Sequence, residues 1–214
     1  MENSIPKIIK YNTTGAGYRA GEYVLPQNIT QTIPYLNIFF FKGYILASAL
    51  NYPPRLFNET SYAYIGSLNL SETFDRGEYL ASRDVFVFLH RQTGKVGYFR
   101  LNTLPLVLPV YLQNDTIKPF GFMMKSTDEK YITVSMRISP YSLLIYRVSD
   151  WVLVSQPNLS STSATQAWST DGRYIMVFVY HSLYITVYDS LNNWTMIANV
   201  SIGYKNIRTC FQYD

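Results

Sequence analysis

The chain repeats part of its own sequence at a shift of 43 residues, and this repeat limits the possible folds more than any other feature. The segment STDEKYI, which begins at Ser126, returns as STDGRYI from Ser169, and Trp151 returns as Trp194. A period of roughly 40–45 residues is typical of the four-stranded blades of β-propellers. The repeat therefore predicts several small antiparallel sheets of similar construction.

Two weaker copies lie upstream, at residues 42–45 and 76–80. When the four copies are aligned through their tyrosines, they are separated by 35, 52 and 43 residues. The aligned tyrosines are Tyr44, Tyr79, Tyr131 and Tyr174. The mean spacing is again about 43 residues, so a chain of 214 residues has room for about five blades.

The pattern along the rest of the chain indicates an all-β fold. Short runs of β-branched and aromatic residues alternate with Gly, Pro, Asn and Ser, and helical periodicity is almost absent. Residues 174–180 are apolar throughout, which predicts a strand buried on both faces, as between neighbouring blades. A β-sandwich or jelly roll, the alternative fold, leaves one face wet. We predict a β-propeller-like domain at residues 31–214 and an N-terminal arm at residues 1–30 that can contribute a closing strand by pairing with residues 207–211.

The repeated turn carries a family resemblance. It resembles the Ser-x-Asp-Gly-x-Tyr turn of propeller repeats of the YVTN and TolB-like kind, over about residues 42–203. It departs from the WD40 pattern, because the repeats lack a Gly-His or Trp-Asp pair. In such a turn Asp accepts hydrogen bonds from nearby amides and Gly takes a positive φ. We therefore interpret Asp128 and Asp171 as turn-forming residues rather than as a catalytic pair.

Few residues of this chain are suited to catalysis or metal binding. One Cys and two His exclude a disulfide framework and a Cys/His zinc site. His90 and His181 are predicted as exposed residues at turns or strand ends, and Cys210 as an inert thiol in a terminal strand. We predict no enzymatic activity, no cofactor and no catalytic, cofactor-binding or metal-binding residue. A propeller glycosidase is the disfavoured enzymatic alternative.

Charged residues make up only 15% of the chain, against about 25% in an ordinary soluble domain. The net charge of +4 arises without any run of like charges longer than two, so nucleic acid is not an expected partner. The most hydrophobic stretch, residues 33–50, contains Pro34, Asn37 and Lys42, and we interpret it as strands rather than a membrane span. Membrane contact is left open.

N-glycosylation sequons, Asn-x-Ser/Thr, are more frequent than composition explains. They begin at eight of the 14 asparagines, whereas about two or three are expected by chance. The candidate glycosylation sites are Asn12, Asn28, Asn58, Asn69, Asn114, Asn158, Asn193 and Asn199. Several lie in predicted loops, where a glycan has room, and Asn199 has the weakest position because it lies in a predicted strand. Covalent N-glycans are therefore expected.

Twenty tyrosines accompany the low charge. Tyr is enriched and charge is depleted at protein interfaces, so we expect a surface that is buried in a homo-oligomer, coated with sugar, or both. Loops at residues 51–60 and 102–119 are the predicted contacts. In composition and architecture the whole chain resembles glycosylated virion proteins of hyperthermophilic archaeal viruses. In size it is similar to the tail adaptor or nozzle proteins of spindle-shaped archaeal viruses, the fuselloviruses.

This resemblance implies a non-enzymatic structural or adaptor protein at the surface of a virion or in another extracellular place. Such a protein joins subunits in a ring through Tyr-rich faces and contacts other virion proteins, namely capsid, nozzle and tail spike. The resemblance assigns no functional residue. The alternative function is a receptor- or glycan-binding module for host attachment, which binds a sugar or a cell surface as an isolated domain.

Overall fold

The computed structural model consists almost wholly of antiparallel strands. It describes residues 7–11, 19–24, 36–49, 52–70, 74–90, 94–104, 109–112, 120–136, 139–161, 163–179 and 184–201. Within these ranges the helical segments are two short 3-10 turns, at Leu101–Thr103 and Ser190–Asn192. The described part of the chain thus confirms the predicted all-β class.

The chain divides into two compact units, of which the first comprises Met1–Thr73 and Leu104–Val107. It contains a two-stranded sheet, in which β1 (Lys7–Tyr11) pairs with β2 (Arg19–Val24). It also contains sheet I, with four strands in chain order: β3 (Leu36–Phe41), β4 (Tyr44–Ala49), β5 (Tyr52–Asn58) and β6 (Tyr64–Ser67). The predicted division into an arm and one domain stays a prediction, and the expected partner of the arm, residues 207–211, lies outside the described residues.

The second unit comprises Phe74–Thr103 and Leu108–Asp214 and holds three more four-stranded sheets, each again in chain order. Sheet II consists of β7 (Phe74–Leu80), β8 (Val85–His90), β9 (Val96–Arg100) and β10 (Val110–Tyr111). Sheet III consists of β11 (Phe120–Lys125), β12 (Tyr131–Met136), β13 (Leu143–Arg147) and β14 (Val152–Ser155). Sheet IV consists of β15 (Ser163–Trp168), β16 (Tyr174–Val179), β17 (Tyr184–Asp189) and β18 (Thr195–Ser201).

The first hairpin of each four-stranded sheet turns through a residue with positive φ, one or two positions before the second strand. These residues are Gly43, Asp84, Glu129 and Gly172. In sheet IV the predicted turn chemistry is present, because Asp171 Oδ1 accepts hydrogen bonds from Ser169 Oγ at 2.6 Å and from Arg173 N at 3.0 Å. The equivalent bonds of sheet III measure 2.7 and 3.2 Å. Side-chain bonds to the backbone thus fix both turns.

The predicted repeat alignment is wrong in sheet II. The aligned tyrosines of sheets I, III and IV begin the second strand of each sheet, whereas Tyr79 lies in the first strand, β7. Val85 occupies the repeat position instead, which makes the spacings 41, 46 and 43 residues. The repeat alignment was wrong here because Gly77 resembles the glycine of the repeated turn. It lies within β7, where an added Cβ would stand 2.2 Å from Cζ of Phe86.

A second device repeats at the turn between the third and fourth strands. In sheets I, III and IV an aromatic residue takes a positive φ there: Tyr62 at 57°, Trp151 at 61° and Trp194 at 60°. Each of these residues donates its N–H to the carbonyl oxygen of the last residue of the third strand, at 2.8–2.9 Å. The structure confirms the predicted equivalence of Trp151 and Trp194. It adds Tyr62, which the sequence comparison missed because the surrounding residues differ.

Two apolar layers hold the second unit together. One lies between sheets II and III and includes Ile132 and Tyr146, and the other lies between sheets III and IV and includes Ile175 and Trp194. The first strands β7, β11 and β15 are neighbours in that order. Sheet III is therefore covered on both faces, which explains why inner strands of this unit are apolar at successive positions.

Two predictions about hydrophobic and loop segments have different outcomes. The described part of the segment 33–50, residues 36–49, forms strands as predicted, with β3 and β4 joined through Lys42 and Gly43. The contact loop predicted at residues 51–60 is wrong, because most of it is the inner strand β5. Its Pro53 and Pro54 stand where the pairing with β4 shifts register, and such an irregularity tolerates proline. Of the loop predicted at 102–119, the described part includes the edge strand β10. Across the described ranges, no helix has the length and apolarity to cross a bilayer.

Candidate functional site

The hairpins at one rim of sheets II and III are tied together by charged residues, and we call this contact the first joint. Lys125 Nζ donates to Glu129 Oε1 at 2.7 Å and to the carbonyl oxygen of Tyr79 at 2.9 Å. The other carboxylate oxygen of Glu129 accepts from the N–H of Ser82 at 2.8 Å. Both side chains belong to sheet III and bind the backbone of sheet II. Glu78, the neighbour of Tyr79, completes the first joint.

The two carboxyl groups of the first joint differ strongly in acidity. Burial raises the pKa of Glu78 to about 7, although the charge of Lys125 opposes the shift, and Glu129 adds to it by repulsion. Burial also acts to raise the pKa of Glu129, but hydrogen bonds from Lys125 and Ser82 outweigh it and lower the value to about 2. Carboxyl groups with shifts of opposite sign occur at functional sites and in structural ion-pair networks.

The corresponding rim of sheets III and IV, the second joint, is mostly uncharged. Thr127 Oγ1 donates to the carbonyl oxygen of Ser169 at 2.8 Å. Deeper between the sheets, Thr133 Oγ1 donates to Gln166 Oε1 at 2.6 Å. Gln166 is only 2% exposed, and its Nε2 finds no acceptor among the described residues. This joint offers hydrogen bonds but no titratable pair comparable to that of the first.

Asp128 belongs to the second joint as well as to its own hairpin. Its carboxylate fills the space beside Gly172, where an added Cβ would lie 2.5 Å from Asp128 Cγ. The structure confirms that Asp128 and Asp171 form turns, since each accepts hydrogen bonds within its own hairpin. Both carboxyl groups have a pKa below the ordinary value. For Asp128 burial opposes the shift, and the bonds from Lys130 and Ser126 outweigh it.

Each repeated tryptophan reaches back to the preceding sheet. Trp151 stacks on Tyr98 of sheet II, with ring centroids 4.3 Å apart and planes 14° from parallel. Trp194 meets Tyr131 of sheet III edge to face, with centroids 4.7 Å apart. Several tyrosines therefore serve contacts inside the chain, while Tyr64 and Tyr184 are exposed. The positive φ of each Trp places its ring at the joint rather than at the edge of its own sheet.

Among the described strands, sheet IV ends in an exposed apolar edge. β18 pairs with β17 on one side, is the last strand of its sheet and contains no charged residue. Its side chains Met196, Ile197 and Val200 are 54%, 49% and 50% exposed. The equivalent strand of sheet III, β14, has four residues, of which Val152 is 48% exposed and the others are half-buried. The two sheets thus share a construction but differ at their edges.

Five of the eight predicted glycosylation sites lie in the part of the chain that the structure describes. The exposed members are Asn69, Asn158, Asn193 and Asn199. The fifth, Asn58, is half-buried, and its Oδ1 accepts from the N–H groups of Thr60 and Ser61 at 2.9 and 2.8 Å. The sites outside the described residues are Asn12, Asn28 and Asn114. Exposure gives a glycan room at four positions, and occupancy stays a prediction.

The other residues considered for catalysis fall in different places. His90, predicted as an exposed residue at a hairpin turn, is the last residue of β8 and is buried, so the predicted exposure is wrong. His181 and Cys210 lie outside the described residues. Within the described ranges, no group of three or more His, Cys, Asp or Glu residues is placed so that it could hold a metal ion.

Neither the first joint nor the β18 edge was predicted from the sequence. Glu78 and Glu129 are 51 positions apart, and nothing local indicates that they meet. The β18 edge did leave a signal, because residues 190–201 contain no Asp, Glu, Lys or Arg. Such a run is unusual for a strand exposed to water.

Comparison with known proteins identifies the fold. Neither a protein-family model nor a curated protein matches the chain. Among solved structures it is similar to the Dos1 propeller, with a TM-score of 0.70 and 13% identity over 93% of this chain and 56% of that one. It is also similar to the dihydro-heme d1 dehydrogenase NirN, with a TM-score of 0.72 and 18% identity over 93% of this chain and 43% of that one. A candidate 6-phosphogluconolactonase from Bacteroides fragilis gives a TM-score of 0.65 and 15% identity, over 93% and 64%.

The chain spans less than two thirds of the length of each of these structures. At such low identity the similarity shows the fold alone, and it confirms the predicted β-propeller-like architecture.

Proposed function

We propose that the chain is a non-enzymatic structural or adaptor protein of a virion tail or another extracellular assembly. Its subunits join through exposed strand edges, and its remaining surface contacts other virion proteins such as capsid, nozzle and tail spike. The observation that carries the proposal is the uncharged, exposed edge of β18. The low overall charge and the sequon density support an extracellular location.

The chemistry of β18 is that of a strand suited to a partner. An exposed sheet edge presents unpaired N–H and C=O groups, and monomeric proteins protect such edges with charges, proline or short length. β18 has seven residues and contains neither a charge nor a proline. A partner strand added to this edge satisfies the backbone groups and covers Met196, Ile197 and Val200.

A second copy of the chain is the occupant that fits this edge. Two β18 strands can meet antiparallel without placing like charges opposite each other, and such a contact is self-complementary. Tyr184, which pairs with Ser201 at the end of β18, is exposed and extends the same surface with an aromatic ring. A twofold contact closes on itself, so a ring of more than two subunits uses a further face of each subunit.

Glycans offer a second way to cover the same edge. The sequons at Asn193 and Asn199 lie just before and within β18, and both asparagines are exposed. A glycan at Asn199 would stand where a partner strand approaches. We therefore expect unglycosylated protein to associate more strongly than protein glycosylated at this position.

The test is the solution mass of unglycosylated protein over a range of concentrations, by analytical ultracentrifugation. The wild-type chain is expected to associate. Val200→Lys should weaken association at least about tenfold, because the ammonium must lose its water on pairing. Val152→Lys is the matched control, since Val152 is equally exposed on the edge of sheet III, and it should leave the mass unchanged.

Two results would contradict the proposal. One is a wild-type chain that remains a monomer at high concentration without glycans. The other is equal weakening by both lysine variants, which would show that added charge acts without regard to β18. Glycopeptide mass spectrometry of protein from its native source then tests the extracellular location through occupancy of the sequons.

A further inference from the structure

We propose that the first joint is a pH-sensitive latch, which holds the rims of sheets II and III together while Glu78 is protonated and loosens when Glu78 ionises. The observation behind this inference is a mismatch of charge. The joint contains two carboxyl groups, Glu78 and Glu129, and one ammonium group, Lys125. The inference is independent of the proposed assembly role.

The hydrogen bonds of the latch that involve titratable partners of Glu78 pass through Lys125 and Glu129, while Arg83 Nη2 of the same hairpin also donates to the carbonyl oxygen of Ser149 at 2.8 Å. Lys125 Nζ bonds the carbonyl oxygen of Tyr79, and Glu129 bonds the N–H of Ser82, so both residues of sheet III grip the backbone of sheet II. The bond between Lys125 and Glu129, at 2.7 Å, holds these two grips in register. Glu78 stands directly beside Tyr79 and is near enough to Lys125 and Glu129 for their charges to affect its ionisation.

Among the described groups that face Glu78, the other carboxylate is that of Glu129, which already accepts hydrogen bonds from Lys125 and Ser82. Glu78 pairs with Val87 of β8, which pairs with Tyr98 of β9, so its side chain faces sheet III. The described titratable and charged groups on this face are Lys125 on β11, Glu129 in the next hairpin, Tyr98 and Arg100 on β9, Tyr146 on β13 and Arg76 on its own strand. Burial raises the pKa of Tyr146, which keeps its hydroxyl neutral. The guanidinium group of Arg76 lies over the ring of Phe122, 5.3 Å from its centroid.

The direction of the response follows from the charges. Below neutral pH Glu78 is neutral, because burial raises its pKa to about 7, and Lys125 is then fully available to Glu129. Above neutral pH the ionised Glu78 competes for Lys125 and repels Glu129. Since Glu129 also holds Ser82, the N–H of Ser82 loses its acceptor for a larger fraction of the time. That N–H therefore reports the state of the latch.

The experiment is hydrogen exchange of backbone amides by NMR at pH 6 and pH 8, corrected for the intrinsic exchange rate. In the wild-type chain the protection of the Ser82 amide should fall at least tenfold between the two pH values. In Glu78→Gln it should be the same at both. The control amide is Ser169, which bonds the carbonyl oxygen of Tyr174 in the second joint and should not respond to pH in either protein.

The latch is overturned if wild-type Ser82 keeps equal protection at both pH values, or if Glu78→Gln shows the same loss. A second measurement avoids dependence on the variant. The carboxyl carbon of Glu78 in the wild-type chain should titrate with the same midpoint as the protection of Ser82. Midpoints that differ by more than one pH unit would show that the loss of protection has another cause.

Discussion

The two joints of the second unit use the same positions of the repeat for different purposes. Glu129 and Gly172 both follow the turn aspartate and both take a positive φ. In the first joint the side chain of Glu129 reaches the backbone of sheet II. In the second joint Gly172 leaves a space that Asp128 of the preceding sheet fills. In the first joint a side chain of sheet III contacts the preceding sheet, sheet II. In the second joint a side chain of sheet III contacts the following sheet, sheet IV.

This difference shows that the repeat preserves backbone geometry rather than contacts. In all four sheets the residue after the third strand donates its N–H to the residue just before the second strand, at 2.7–3.1 Å. That bond needs no particular side chain. A position at the rim can therefore hold a charged side chain, as at Glu129, or no side chain, as at Gly172. The first joint contains a carboxyl group with a raised pKa, Glu78, whereas the carboxyl group that Asp128 brings to the second joint has a lowered pKa.

The largest expected effect comes from removing the aromatic contacts of the two joints. Trp194 is buried against Tyr131 and Trp168, whereas Trp151 is half-buried and stacks on Tyr98. We expect Trp194→Ala to lower the free energy of unfolding by about 4 kcal/mol and Trp151→Ala by about 2 kcal/mol. Urea unfolding followed by far-UV circular dichroism measures both. Equal losses would show that the two joints are packed equally well, and this would contradict the different burial of the two tryptophans in the structure.

An effect between those of the two tryptophan variants is expected from a single methyl group at Gly172. Gly172→Ala combines a positive φ of 71° with a Cβ that overlaps Asp128, and we expect a loss of about 3 kcal/mol. The control is Gly43→Ala, because Gly43 has a φ of 78° but nothing within 4 Å of an added Cβ. Strain alone should cost about 1 kcal/mol there. Thermal unfolding of both variants separates strain from overlap, and equal shifts would contradict the role given to Asp128.

The sequence predicted the fold where side chains fix the backbone and failed where they do not. The Ser-x-Asp turns before Tyr131 and Tyr174 were recognisable, because their side chains make the bonds that shape the turn. The turn before Val85 has no such signature, although Asp84 takes the same positive φ of 53°. The alignment therefore moved to Tyr79, which only resembles the repeat. The backbone hydrogen bond common to the four-stranded sheets does not restrict the residue types at its positions, so the sequence does not reveal it.

The candidate site was less predictable than the fold. The first joint depends on Ser82 and Glu129, which are 47 residues apart and meet only because sheets II and III pack rim to rim. No local pattern records that contact. The β18 edge was partly indicated by the sequence, because the low charge of the whole chain predicted a surface that is buried in a homo-oligomer or coated with sugar. The sequence lacked the information that sheet IV ends there, which decides whether an uncharged strand is inside or at an edge.

The smallest expected effect concerns the buried polar pair of the second joint. Thr133 Oγ1 donates to Gln166 Oε1, while Gln166 Nε2 has no acceptor among the described residues. An unpaired buried amide opposes folding, so its removal compensates for the lost bond. Thr133 also retains an acceptor, because the carbonyl oxygen of Met124 lies 3.1 Å from its hydroxyl. We therefore expect Gln166→Met to change stability by less than about 1 kcal/mol, in either direction.

Thr133→Val is the complementary change to the same pair, and it should be the more harmful one. It leaves both polar atoms of Gln166 buried without a partner in this pair, and we expect a loss of about 2 kcal/mol. The double variant Thr133→Val/Gln166→Met should recover most of that loss, because no unpaired amide remains. A thermodynamic cycle built from the four unfolding free energies measures the coupling. Additive effects would mean that the amide of Gln166 is satisfied by water, and the second joint would then be wet rather than dry.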